Sequence, residues 1–291
     1  MSNLTLRDWF EKARNENFAI GAFNIDSFDI FKAVCEAGER TKSPLLVQFS
    51  PGEAKYFGLK NIRDMIKNTR DEISVPIFLN LDHCKEVDTC LEAMECGFDM
   101  VHFDGSDLPM GENILRVKEI VNAAHGKDIL VEGEIDKVSG GSEVHAEEIY
   151  LEAIKKSYTK PEIAGDFVVQ TGVDIFAPVF GNVHGTFPNQ PDLDFGLLKK
   201  IRSLVPNTFL AMHGGSGIPE VQVKEAVKDG AIVKVNVNTE LRQAFIDSLV
   251  EKTGEKPLQY TYYKMTDDIV GAVAAVVEGK IEVFGSGGKV R

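Results

Sequence analysis

Short apolar runs recur along the chain, separated by longer stretches with helical periodicity. The runs cover residues 18–24, 44–50, 76–83, 100–106, 128–135, 174–182, 208–216 and 233–239. Their length, their β-branched and aromatic content and the turn residues around them mark them as strands. Between them, stretches such as 30–41, 85–96, 113–125 and 219–228 space apolar residues three and four apart, as on one helix face. Alternating strand and helix implies a parallel sheet. Eight such units predict an α/β fold, a closed (β/α)8 TIM barrel, with residues 1–291 as a single domain. Residues 1–8 read as the start of a capped helix. After Thr239 one or two extra C-terminal helices follow, and the Gly-rich tail from Phe284 to Lys289 reads as no more than a frayed terminus.

The polar positions inside the strands sharpen this picture. Side chains of a barrel strand alternate between the lumen and the helical layer. In the fifth run Ile129, Val131 and Ile135 oppose Glu132 and Glu134; in the fourth, Val101 and Phe103 oppose His102, Asp104 and Ser106. The second sets Leu45, Val47 and Phe49 against Gln48 and Ser50, and the eighth sets Val233, Val235 and Val237 against Lys234, Asn236 and Asn238. A lumen with a packing role alone would be filled by Val, Ile and Leu. Polar groups on one parity, concentrated toward the strand C-termini, indicate an active site at the barrel mouth.

Composition narrows the partners. A formal net charge of −13 argues against general binding to nucleic acid or to anionic membrane. Cys35, Cys84, Cys90 and Cys96 lack CxxC spacing, and no secretory signal or bilayer-length apolar stretch is present. Free thiols in a reducing, cytoplasmic setting are expected, with Cys84 a small filler beside His83.

Three histidines follow strands three, six and seven: His83, His184 and His213. Three imidazoles with an open fourth position suit a catalytic zinc, and cobalt, iron or manganese would also fit such a set. His125 and His145 read as solvated, and His102 as lumen-facing but too early in its strand to reach the mouth. Asp82, beside His83, is the candidate acid–base group. Glu134 is an additional candidate metal contact, with Glu132 structural. Gly214, Gly215 and Ser216 form a turn whose N–H groups suit an anion, completed by Asn236, Asn238 and Thr239 after strand eight. Ser50, after strand two, is a candidate for a second anion. Metal and phosphate sites together point to phosphosugar chemistry. The fifth-to-sixth connection carries Gly140-Gly141, which makes residues 136–147 a candidate mobile lid.

At these residues the chain resembles the class II, zinc-dependent fructose-bisphosphate and tagatose-bisphosphate aldolases. The resemblance runs from Gly21-Ala22-Phe23-Asn24 to Phe284-Gly285-Ser286. It includes Leu81-Asp82-His83, Phe103-Asp104-Gly105-Ser106, Val183-His184-Gly185, His213-Gly214-Gly215-Ser216-Gly217 and Lys234-Val235-Asn236-Val237-Asn238-Thr239. It implies reversible cleavage of fructose 1,6-bisphosphate to dihydroxyacetone phosphate and glyceraldehyde 3-phosphate. By resemblance His83, His184 and His213 hold zinc, Asp82 handles the C4 hydroxyl proton, and Glu143 exchanges the proton on the triose-phosphate carbon. Gly185, Gly214, Ser216 and Asn236 to Thr239 would bind the dihydroxyacetone phosphate end, with a monovalent cation, Na+ or K+, nearby; Ser50 would meet the other phosphate. A homodimer or homotetramer is implied as well. Asn238 stands where many members carry Asp, Asp107 where a His is common, and Met110-Gly111 where Phe-Glu is common, so the choice between fructose and tagatose stays open. The competing readings are a metal-dependent phosphosugar epimerase using Asp82 and Glu134, a metal-free aldolase with Lys234 as Schiff-base nucleophile, and a non-catalytic phosphosugar binder.

Overall fold

A computed structural model describes residues 4–230, 232–255 and 259–290. Eight parallel strands close into a barrel in sequence order, with β8 paired to β1. They are β1 (Ile20–Asn24), β2 (Leu45–Phe49), β3 (Ile77–Cys84), β4 (Met100–Asp104), β5 (Leu130–Glu134), β6 (Ile175–Phe176), β7 (Phe209–Met212) and β8 (Ile232–Val237). The sixth run is the one that departs from expectation, since only two of its residues form a strand. Pro178 has no N–H for a ladder and Gly181 adopts a φ of +116°, so residues 177–187 continue as irregular, largely buried chain.

Twelve helices surround the barrel among the described residues. The first, α1 (Leu6–Glu16), starts at Thr5, whose hydroxyl accepts from the Asp8 N–H while Asp8 accepts from the Thr5 N–H. Residues 1–3 of the expected capped start lie outside the described residues. Helix α1 presents Leu6, Trp9, Phe10 and Ala13 to the lumen-facing Ile20, Phe78, Leu130 and Phe209, sealing the N-terminal end of the barrel as one apolar cluster. The opposite strand faces pack under the outer helices, including α2 (Phe28–Thr41) and α12 (Thr266–Phe284). Val233 joins the lumen cluster and Val235 the outer one, because the β7–β8 register shifts at Leu210/Ala211. That irregularity removes Val233 from the face it would share with Val235 in a regular strand.

The C-terminal tail is not frayed. Gly288 and Val290 donate to the carbonyls of Thr41 and Lys42, and Ser286 is fully buried against Ser43. No described helix is long and apolar enough to cross a membrane.

Candidate metal centre and active site

Each strand delivers its polar side chains near its C-terminal end, and the irregularity of β3 decides their arrangement. In a regular strand Asp82 and His83 would face opposite sides. Here the β3–β4 register shifts between Leu81 and Cys84, and His83 takes a left-handed φ of 51°. Such a backbone costs a β-strand residue about 1–2 kcal/mol. It turns the His83 ring onto the same cluster that Asp82 borders, as the adjacent pair requires if both serve one site.

The His83 ring centroid lies 4.6 Å from that of His213 and 5.0 Å from that of His184. The three histidines expected as ligands therefore converge, with His184 and His213 6.1 Å apart. The tightest donor set is different. His83, His102, Glu134 and His213 have one ligand atom each within 4.8 Å of one another. His102 thus reaches the cluster, contrary to the expectation that it stops short. Asn80 of β3 pairs with Met100 of β4, so the stagger of the barrel carries His102 up to His83, whose N–H donates to His102 Nδ1 at 3.0 Å. One strand read alone does not show that stagger.

The chemistry of this donor set fits a divalent cation. His83 Nε2, His213 Nδ1 and Glu134 Oε2 are buried without a hydrogen-bond partner. His102 Nε2 is too, but because His102 Nδ1 accepts from the His83 N–H, Nε2 carries the proton and His102 borders the set without offering a lone pair. Unsatisfied buried lone pairs are costly, and a cation is the group that satisfies several at once. Behind them stand orienting contacts. Asp104 Oδ2 lies 3.3 Å from His83 Nδ1, and Glu132 Oε1 lies 2.6 Å from His213 Nε2. Charges respond accordingly. Burial opposes the ionised form of Asp82, yet His83, His102 and Lys234 hold its carboxyl well below the usual range. Burial and the neighbouring His83 and His213 push His184 well below the usual imidazole value, which keeps it a neutral donor.

Asp82 is also held by amides. Its oxygens accept from Asn24 at 3.3 Å, Gln48 at 3.2 Å and Asn236 at 3.1 Å. Asn24 and Gln48 are functional neighbours that the sequence reading did not assign, although Gln48 already stood on the lumen parity. One cleft is lined by Asn24, Asp82, His83, Ser142, His184, Gly185, Gly214, Ser216, Asn236, Asn238 and Thr239. Most of the anion-binding candidates thus share a wall with the histidines. Gly214 is required at its place: with φ +65°, a Cβ there would sit 1.9 Å from the Val183 carbonyl oxygen.

Other candidates lie apart. Gly215 packs against Asn236 rather than lining the cleft. Ser50 caps α3 (Pro51–Phe57), its hydroxyl accepting from the Glu53 N–H and its own N–H donating to Glu53 at 2.6 Å. Glu143 is exposed, while its neighbour Ser142 reaches the cleft. The 136–147 segment is docked: Ser139 and Glu143 carbonyls accept from His184 and Thr186, and His145 stacks on Phe187 at 4.1 Å. His145 is thus half-buried, with one ring face covered by Phe187, and His125 stays exposed as expected while pairing with Asp174 at 3.1 Å. Lys234 is fully buried, 2.8 Å from Glu132, and does not line the cleft, which removes the geometry a Schiff-base nucleophile needs.

A closed parallel barrel with a donor cluster able to hold a metal at its C-terminal mouth defines the class as a TIM-barrel enzyme. The sequence profile described as "Fructose-bisphosphate aldolase class-II" matches residues 4–289. A fructose-bisphosphate aldolase of Streptococcus pneumoniae is 36% identical over 302 aligned positions, covering 99% of this chain and all of the relative. One from Geobacillus stearothermophilus is 34% identical, with 99% of each chain covered. The solved structure of the YdjI aldolase from Escherichia coli K12 superposes with a TM-score of 0.83 at 29% identity, covering 98% of both chains. The chain belongs to the class II fructose-bisphosphate aldolase family, and it is accordingly a lyase.

Proposed function

We propose that the chain, acting as one barrel domain, uses zinc to cleave fructose 1,6-bisphosphate reversibly into dihydroxyacetone phosphate and glyceraldehyde 3-phosphate. The observation that carries this reading is the single cleft that brings Asp82, His83 and His184 together with Gly214, Ser216, Asn236, Asn238 and Thr239. His83, His184 and His213 would hold the zinc, with Glu134 and His102 adjoining. Bound there, the metal supplies Lewis-acid polarisation of the substrate carbonyl and offsets the negative charge that develops as C3–C4 breaks.

The remaining work falls to the chain. Asp82, anionic and fixed by three amides, takes the proton of the C4 hydroxyl as C4 becomes the aldehyde carbon. The electron pair of the broken bond stays with the dihydroxyacetone phosphate fragment, and Glu143 returns a proton to its carbon. For that, the docked loop must bring the exposed Glu143 inward. Gly185, Gly214, Ser216, Asn236, Asn238 and Thr239 receive the phosphate of this fragment, with Na+ or K+ beside it, and Ser50 receives the other phosphate. We infer a cytoplasmic homodimer or homotetramer.

The test is a coupled cleavage assay on fructose 1,6-bisphosphate, run as purified, after chelation and after zinc is restored. Activity lost on chelation and regained with zinc is expected. Cleavage that survives complete metal removal would overturn the reading. Zinc-loaded protein that leaves this sugar intact but cleaves tagatose 1,6-bisphosphate would move the assignment to the C4 epimer.

A further inference from the structure

Beneath the histidines lies a buried charge arrangement that the proposed reaction does not use. Lys234 Nζ sits 2.8 Å from Glu132 Oε2, an ion pair off the axis of a regular hydrogen bond, and donates to Asn236 Oδ1 at 2.7 Å. Both charged side chains are 0% exposed. Placing an ion pair where no water reaches is expensive, and replacement by apolar residues is often neutral or stabilising. The pair therefore needs a reason beyond stability, and its two outer contacts supply one.

The first contact fixes a histidine. Glu132 Oε1 lies 2.6 Å from His213 Nε2. An ionised carboxylate offers only lone pairs, so His213 carries its proton on Nε2. The lone pair is left on Nδ1, which is buried and without a hydrogen-bond partner at the donor cluster. The second contact fixes an amide. Because Lys234 has no acceptor, it claims the oxygen of Asn236, and the Asn236 NH2 is turned to Asp82 Oδ1 at 3.1 Å. One ammonium thus sets the orientation of groups on both sides of the cleft.

We propose that Lys234 is a positioning residue that presents the His213 Nδ1 lone pair to the metal through Glu132 and aims the Asp82 carboxylate through Asn236. The metal half of this inference rests on the zinc reading above; the two orientations are properties of the chain.

Glu132→Gln gives a test that a space-filling role does not pass. With Lys234 present, the amide oxygen of the new side chain is drawn to the ammonium, and its NH2 faces His213 Nε2. That forces the proton to Nδ1 and withdraws the ligand lone pair. Zinc affinity, measured by chelator competition, falls by about 10–100-fold, the usual cost of losing an orienting carboxylate. Adding Lys234→Met releases the amide to turn its oxygen back to His213, so the double variant E132Q/K234M regains at least about tenfold of that loss. Its kcat on fructose 1,6-bisphosphate stays about tenfold or more below the parent, because Asn236 is no longer held toward Asp82.

E132Q binding zinc as the parent does, a double variant no tighter than E132Q, or a double variant with full kcat would each overturn the proposal. The imidazole 15N shifts of His213 in the unaltered, zinc-loaded chain decide the matter even if the variants fail to fold. Protonated Nε2 and unprotonated Nδ1 are expected, and the reverse refutes the assignment. A parent that takes up no zinc would sink the metal reading itself, and the same shifts recorded on that protein would still report the tautomer.

Discussion

The same strands build both ends of the barrel lumen, and the two ends differ in everything but backbone. Along β7 the inward positions run Phe209, Ala211, His213; along β5, Leu130, Glu132, Glu134; along β3, Phe78, Asn80, Asp82. At the N-terminal end α1 lays Trp9 and Phe10 on these apolar residues, and Phe10 and Phe209 meet at a ring distance of 5.5 Å. Burial of that kind contributes roughly 25 cal/mol per Å2 of apolar surface. At the C-terminal end Asp82, His102, Glu132, Glu134, His213 and Lys234 are all under 5% exposed, and several of their lone pairs are unmatched. Ordered burial of unmatched charge opposes folding. The dry, apolar end stabilises the barrel, and the polar end gives up part of that stability to hold donors in place.

Separating the two ends is the strongest test of this division. Removing a donor from the mouth has the largest effect: His213→Ala should lose zinc binding and cleavage together, while its cooperative unfolding transition persists. Zinc titration followed by chelator competition decides it, and an unchanged affinity would exclude His213 as a ligand. Asp82→Ala comes next. It should keep zinc and lose kcat by about 10²–10⁴-fold, the scale of general acid–base catalysis. A metal-free or unfolded Asp82→Ala would instead give that carboxylate a structural role.

How much of this was legible follows the same division. Strand alternation is a local signal, so the apolar runs, the polar parity and the closed barrel could all be read from the chain. What escaped depended on more than one strand. His102 joins the cluster through the stagger between β3 and β4, and Val233 faces the lumen through a register shift against β7. The sixth run misled because buried irregular chain is as apolar as a strand; Ala177, Val179, Phe180 and Val183 are at most 1% exposed without forming one. The motif histidines and Asp82 were visible as residues, whereas the amides of Asn24 and Gln48 acquire meaning only when three strands bring them to one carboxylate.

At the dry end the effects are on stability alone. Phe10→Ala removes a fully buried ring from the plug and should destabilise the protein by about 3–5 kcal/mol in denaturant unfolding, with zinc affinity unchanged. Distant sites without shared partners are expected to be additive, so weaker zinc binding in this variant would show that the two ends are coupled.

The smallest effect concerns the tail that closes this end. Ser286 and Ser43 are both fully buried, with their hydroxyl oxygens 2.9 Å apart, and Ser43 Oγ is also 3.0 Å from the Pro44 carbonyl. Ser43 has one hydrogen to give. The arrangement that satisfies every group has Ser286 donating to Ser43 and Ser43 donating to Pro44. Ser286→Ala then removes one donor and leaves the Ser43–Pro44 bond intact, a loss of about 1 kcal/mol. Ser43→Ala strips the partner from both Ser286 and the Pro44 carbonyl, which should cost more, about 1–3 kcal/mol. Unfolding of the two variants in parallel gives the order. Equal losses, or a larger one for Ser286→Ala, would mean that the proton chain runs the other way and that the tail is fastened by Gly288 and Val290 rather than by the hydroxyl pair.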